Sequence, residues 1–141
     1  SLKKIVARIT VEVLGAPKEH VENTLRLVIK KLKEEEQEIK VNTLQEFECK
    51  QMENKLWNTF ADIEFETKSL KKLMDICYDY MPSTIEILEP AGMEIDTNDI
   101  SNLLNDVLTK MHKYSMVLKK LQTENIYMMK ELEKISGKKK D

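Results

Sequence analysis

Residues 4–17 read KIVARITVEVLGAP, and the order of every later segment is measured against this one. Ile5, Ala7, Ile9, Val11 and Val13 fall on one parity, and Arg8, Thr10 and Glu12 on the other. A period of two with apolar residues on one side predicts a strand buried on one face. Gly15-Ala16-Pro17 ends it, and Pro17 suits the opening of a helix because its missing N–H is not needed there.

From Lys18 to about Glu36 the period changes. Val21, Leu25, Val28 and Leu32 make an apolar stripe at helical spacing. Residues 38–51 return to an extended pattern, with Ile39, Val41, Phe47 and Cys49 sharing a parity. The polar cluster Glu53-Asn54-Lys55 predicts a hairpin turn, and residues 56–67 form the next strand, burying Trp57, Ala61, Ile63 and Phe65. Ser69 is a good N-cap for a second helix whose stripe is Leu70, Leu73, Cys77 and Tyr80. Met81-Pro82 stops that helix, since the residue before proline is driven out of the helical region. Residues 83–89 make a short last strand with Ile85 and Ile87 inward, and Pro90-Ala91-Gly92 marks a boundary.

Strand, helix, strand, strand, helix, strand is the βαββαβ order. It predicts an α+β, ferredoxin-like sandwich: a four-stranded antiparallel sheet with two helices on one face. This unit occupies residues 1–92. Residues 93–136 follow as a long C-terminal helix, and residues 137–141, with Lys138-Lys139-Lys140, as a basic disordered tail.

The long helix, capped by Asp96 or Thr97, contains neither Pro nor Gly through Ile135. Its apolar residues run in two lines of period seven. Ile100, Val107, Tyr114, Leu121, Met128 and Ile135 form one; Leu104, Met111, Leu118 and Leu132 form the other, which also contains Asn125. Alternating steps of four and three are the seam of a coiled coil. A buried amide at Asn125 weakens packing but fixes register and favours two strands. Leu103 and Leu108 widen the apolar face of the first half, and Ile126, Tyr127 and Met129 point to more strands or a further partner. Charged flanking pairs are few, so they do not separate parallel from antiparallel pairing. A helical hairpin turning within 113–116 has no Gly or Pro to mark it.

Composition limits the function classes. The 41% apolar content supports a core, and a net charge of -2 gives no general attraction for polyanions. No apolar run is long enough to span a bilayer and no secretory leader is expected. Cys49 and Cys77 are too few for a disulfide framework or a metal site, which suits a reducing, cytoplasmic setting. No motif marks a family, and the absence of cluster-binding cysteines excludes an electron carrier.

Four chemistries have a plainer account in the same residues. RNA reading on the open sheet face would need stacked aromatics and positive charge. That face instead carries Phe60 among Glu12, Glu46, Glu48, Asp62, Glu64, Glu66 and Glu86, against Arg8, Lys40 and Lys50, so nucleic acid is not an expected partner. The same carboxylates do not converge along one strand, and no metal site is assigned. A small-molecule sensor would use the turn Gly15, Ala16 and Pro17, with a carboxylate at the following helix N-terminus; one Gly-x-Pro is a weak signal, and a plain tight turn explains those residues better. Catalysis lacks a sequence-linked pair, since neither His20 nor His112 sits beside a nucleophile. The expectation is a non-catalytic interaction and assembly protein without cofactor, homo-oligomerising through its C-terminal helix and able to recruit another protein there. The alternative is a ligand-sensing regulatory domain.

Overall fold

A computed structural model describes the backbone of residues 3–140 and the side chains of residues 3–137. Of the expected tail at 137–141, the backbone of residues 137–140 continues the last helix, and residue 141 with the side chains of 138–140 lies outside the described residues. The chain divides into two units, Ser1–Glu94 and Ile95–Asp141.

The first unit is a mixed α+β layer pair. Its strands are β1 (Ile5–Gly15), β2 (Ile39–Glu46), β3 (Lys50–Gln51), β4 (Trp57–Thr67) and β5 (Thr84–Glu89), and its helices are α1 (Lys18–Lys30) and α2 (Leu70–Tyr80). The sheet is antiparallel in every pairing, with the order β2-β4-β1-β5 and β3 also on β4. The central pair, β1 with β4, keeps register from Ile5 opposite Thr67 to Gly15 opposite Trp57. Along both strands the alternation holds: Ile5, Ala7, Ile9 and Val11 are buried, as are Ala61, Ile63 and Phe65. These residues meet Leu25, Ile29 and Leu32 from the first helical segment and Leu73 and Ile76 from α2 in one core. Burial of each large apolar side chain there contributes about 1.5–3 kcal/mol.

Where the pattern predicts four strands, the sheet has five. Asn42 is an extra residue between Val41, opposite Phe65, and Thr43, opposite Glu64. Such a bulge reverses the parity of everything after it. Leu44 then turns inward opposite Ile63, and Phe47, expected inward, joins Phe60 on the outer face. Residues 47–49 leave the ladder, although the Phe47 amide still donates to the Phe60 carbonyl at 3.0 Å. β3 resumes pairing opposite Asn58 and Trp57. The turn that follows lies at the expected place: the Asn54 side chain accepts from the Leu56 amide, and Lys55 takes φ 67°.

α1 ends in a π-helical turn, Lys31–Glu35, closed by the Glu36 amide donating to the Lys31 carbonyl at 2.9 Å. Ile29, rather than Val28, is the fully buried member of the stripe, and in α2 Ile76 takes the place expected for Cys77. Ser69 caps α2 as expected, accepting from the Lys72 amide. Ile85 and Ile87 do share the helix-side parity, opposite Ile9 and Ala7, yet they are 43% and 45% exposed. β5 is an edge strand and contributes nothing to the core cluster.

The second unit is α3 (Thr97–Lys140), a single helix of 44 residues. At 1.5 Å per residue it is about 66 Å long. Asp96 is its cap, with the side chain accepting from the Asn98 amide at 3.2 Å. The helix continues through residues 113–116, which removes the hairpin alternative.

Candidate functional site

The feature of α3 that calls for an explanation is its apolar surface. Exposure along the seam runs from 39% at Ile100 to 62% at Leu132, with Leu104, Met111, Tyr114, Leu118, Leu121, Met128 and Ile135 between these values. Asn125 is exposed in the same line, and Val107 is half-buried. Outside the seam Leu108, Met116, Val117, Ile126, Tyr127 and Met129 are each more than half exposed. A single helix presenting this much apolar area carries a surface of the kind that marks protein contacts. Charged residues are interspersed with the apolar ones, and Lys120 approaches Glu124 at 4.0 Å and Lys134 approaches Glu131 at 3.6 Å. These are exposed pairs that add little stability.

The turn proposed for a small ligand is built differently from an anion cradle. Pro17 is extended at φ -74°, ψ 175°, no side chain caps α1, and the Val21 amide is satisfied by the Pro17 carbonyl at 3.2 Å. The Ala16–Pro17 peptide is cis. A Cβ on Gly15 would meet the Val21 Cγ2 at 3.5 Å, an ordinary contact, so the position does not demand glycine. A cavity of about 270 Å³ lies farther along α1, lined by Lys18, Glu22, Arg26, Glu46, Glu48 and Cys49 among others; Gly15, Ala16 and Pro17 do not line it. Glu46 and Glu48 were expected on the outer face. The bulge places Glu46 opposite Ala61 on the helix-side parity, and Glu48 sits in the irregular stretch beside it. Burial pushes the Cys49 thiol above its ordinary range, helped by the charge of Glu22, and burial does the same for Cys77. Raised thiols are poor nucleophiles.

The outer sheet face keeps Glu12, Asp62, Glu64, Glu66 and Glu86, and most of them are engaged. Arg8 donates to Glu86 at 2.7 Å, Thr10 to Asp62 at 2.7 Å, Asn42 to Glu66 at 3.3 Å, and Asn58 to Glu12. Lys4 lies 3.7 Å from Glu66. The Phe47 and Phe60 rings stack at 4.5 Å between centroids. Among the described residues no group of three or more His, Cys, Asp or Glu side chains is arranged to hold a metal ion. Nor is any helix among them long and apolar enough to cross a membrane.

One arrangement was invisible to sequence reasoning. Glu36 accepts from the Tyr80 hydroxyl at 2.7 Å and from Lys72 Nζ at 2.6 Å, while Lys31 Nζ stands 5.6 Å from the Tyr80 ring centre. The Lys72 hydrogen bond holds the Glu36 carboxyl below its ordinary range against the opposing effect of burial, and the Tyr80 bond adds to the lowering. Burial, with the Glu36 bond, drives the Tyr80 hydroxyl upward. This cluster ties the π-helical turn to α2. Its two hydrogen bonds join side chains of the unit to one another, as a structural tie does.

A family model, described as the MJ0538 family, matches residues 6–140. The chain belongs to the MJ0538 family. The match takes in nearly all of the sheet unit and the whole of α3. No curated protein and no solved structure matches this MJ0538-family chain.

Proposed function

We propose that this MJ0538-family chain is a non-catalytic assembly protein of the cytoplasm that homo-oligomerises by coiled-coil pairing of α3. The observation that carries the reading is the continuous exposed seam on a helix of 44 residues. Helices in proteins owe most of their stability to packing an apolar face, and here that face requires a partner. The inclusion of α3 in the family match supports the same reading. We assign the globular unit to the ferredoxin-like class. The order β5-β1-β4-β2 supports this, with β2 and β3 taken as two parts of one segment bent at 47–49.

Mass in solution tests the proposal. The full chain should sediment as a dimer or larger species, and Leu118→Lys should return it to monomer while the melting of the sheet unit persists. A chain that stays monomeric at every concentration overturns it. A regulatory ligand-binding role has one observation in its favour, the cavity beside Lys18 and Arg26. A thermal-shift screen with amino acids and nucleotides tests that role, since a ligand at a hundred times its dissociation constant adds about 2.7 kcal/mol.

A further inference from the structure

Resting on the reading that α3 pairs with a second copy, the residues that flank its seam decide the direction of pairing. One flank carries Leu108, Ser115, Gln122 and Met129; the other carries Leu103, Lys110, Val117, Glu124 and Glu131. In a parallel pair each residue of the second flank lies against the first-flank residue five positions on. That sets Lys110 against Ser115, Val117 against Gln122 and Glu124 against Met129. Leu103 meets Leu108, but Val117 and Met129 each meet a polar residue, and no opposite charges meet.

Antiparallel pairing brings like flank to like flank in reverse order. With the two-fold axis between Leu118 and Leu121, Leu108 meets Met129 and Ser115 meets Gln122. On the other flank Lys110 meets the second copy's Glu131, an opposite charge, while Val117 meets Glu124. Within the seam the layers become Leu104 with Ile135, Val107 with Leu132, Met111 with Met128, Tyr114 with Asn125, and Leu118 with Leu121. Every seam residue from Leu104 to Ile135 is used, and the one amide of the seam shares a layer with a phenol, which can donate and accept. Residues 96–109 contain Asp96, Asp99 and Asp106 and no Lys or Arg. Parallel pairing would lay these acidic stretches together, whereas antiparallel pairing separates them and opposes the helix dipoles. We propose that two copies of α3 pair antiparallel about an axis between Leu118 and Leu121, with Tyr114 of each copy layered against Asn125 of the other. The two points at which the globular units attach are then roughly 67 Å apart, at opposite ends of the paired helices.

Cysteine cross-linking of the full chain, in a Cys49→Ser, Cys77→Ser background, tests the direction. Leu104→Cys and Ile135→Cys are oxidised separately and as an equimolar mixture, with solution mass measured in parallel. In the proposed register a cysteine at position 104 is roughly 46 Å from its own copy, far beyond disulfide reach. Only the mixture should therefore give a cross-linked species, and that species should contain one chain of each kind. Cross-linking of either variant alone establishes parallel pairing and overturns the proposal. A dimeric mass without cross-linking in any sample overturns the register, and a monomeric mass overturns the homo-oligomer reading with it. Should these seam variants not fold, Leu108→Cys and Met129→Cys on the flank, joined by a short bismaleimide, make the same distinction.

Discussion

Replacing Glu36 by Gln removes one charge from a cluster whose members come from separate elements. The Glu36 and Lys72 side chains are only 14% and 17% exposed, and their atoms meet at 2.6 Å. Glutamine keeps the shape and one acceptor oxygen but leaves the Lys72 ammonium facing an amide. A charge-assisted hydrogen bond contributes about 1.5–3 kcal/mol, and Lys72 retains enough solvent contact to recover part of this. Glu36→Gln should therefore lower unfolding stability at neutral pH by about 2 kcal/mol. The effect should also depend on pH. The Glu36 carboxyl is held below its ordinary range in the folded state, so its contribution is complete above the unfolded value of about 4.3. As the pH falls below that value toward the lower folded one, the contribution is lost. Urea unfolding followed by circular dichroism at pH 7 and at pH 3 should show a gap between parent and variant that is wide in the first and narrow in the second. A gap that does not change with pH would refute the charge-based account. Tyr80→Phe provides a second control, because combining it with Glu36→Gln should cost less than the sum of the single changes.

Met81 ends α2 in the left-handed region at φ 44° and is 73% exposed; Met81→Gly should raise stability by up to about 1 kcal/mol, and thermal denaturation showing a loss would contradict the strain argument. Gly15→Ala should change stability by under about 0.5 kcal/mol, since the added carbon finds an ordinary 3.5 Å contact; a large loss in chemical denaturation would return the turn to the list of special positions. Asn125→Leu should raise the melting temperature and broaden the mass distribution seen by light scattering, because it removes the seam's amide; a surface-like change of a few tenths of a kcal/mol with unaltered mass would move the seam elsewhere. Single-stranded RNA should not be retained by the outer sheet face, and gel-shift binding abolished by Phe60→Ala would overturn that expectation.

Features with a local cause were legible in the chain itself. The alternation in 5–13 and 57–65 reflects the two-residue period of a strand, and the seven-residue repeat of α3 reflects the pitch of a helix. The Ser69 cap and the turn at Asn54-Lys55 likewise follow from side chains reaching their own neighbouring backbone. For the same reason the long C-terminal helix was readable from its periodicity and its lack of Pro.

What remained required the partner strand or the neighbouring helix. Asn42 has nothing in its own sequence to mark a bulge. The bulge exists because β2 must match Phe65 on one side of it and Glu64 on the other. That one extra residue carries Phe47 outward to stack on Phe60 and Glu46 inward, undoing two correct-looking parities. Ile85 and Ile87 have the parity of core residues, but parity states only which face a side chain takes. Burial depends on whether something packs over that face, and on the edge strand β5 the unit's core does not reach them. Glu36, Lys72 and Tyr80 show the same limit most plainly. They are 36 and 44 residues apart along the chain, and only the docking of α2 beside the π-helical turn brings their charges within reach of one another.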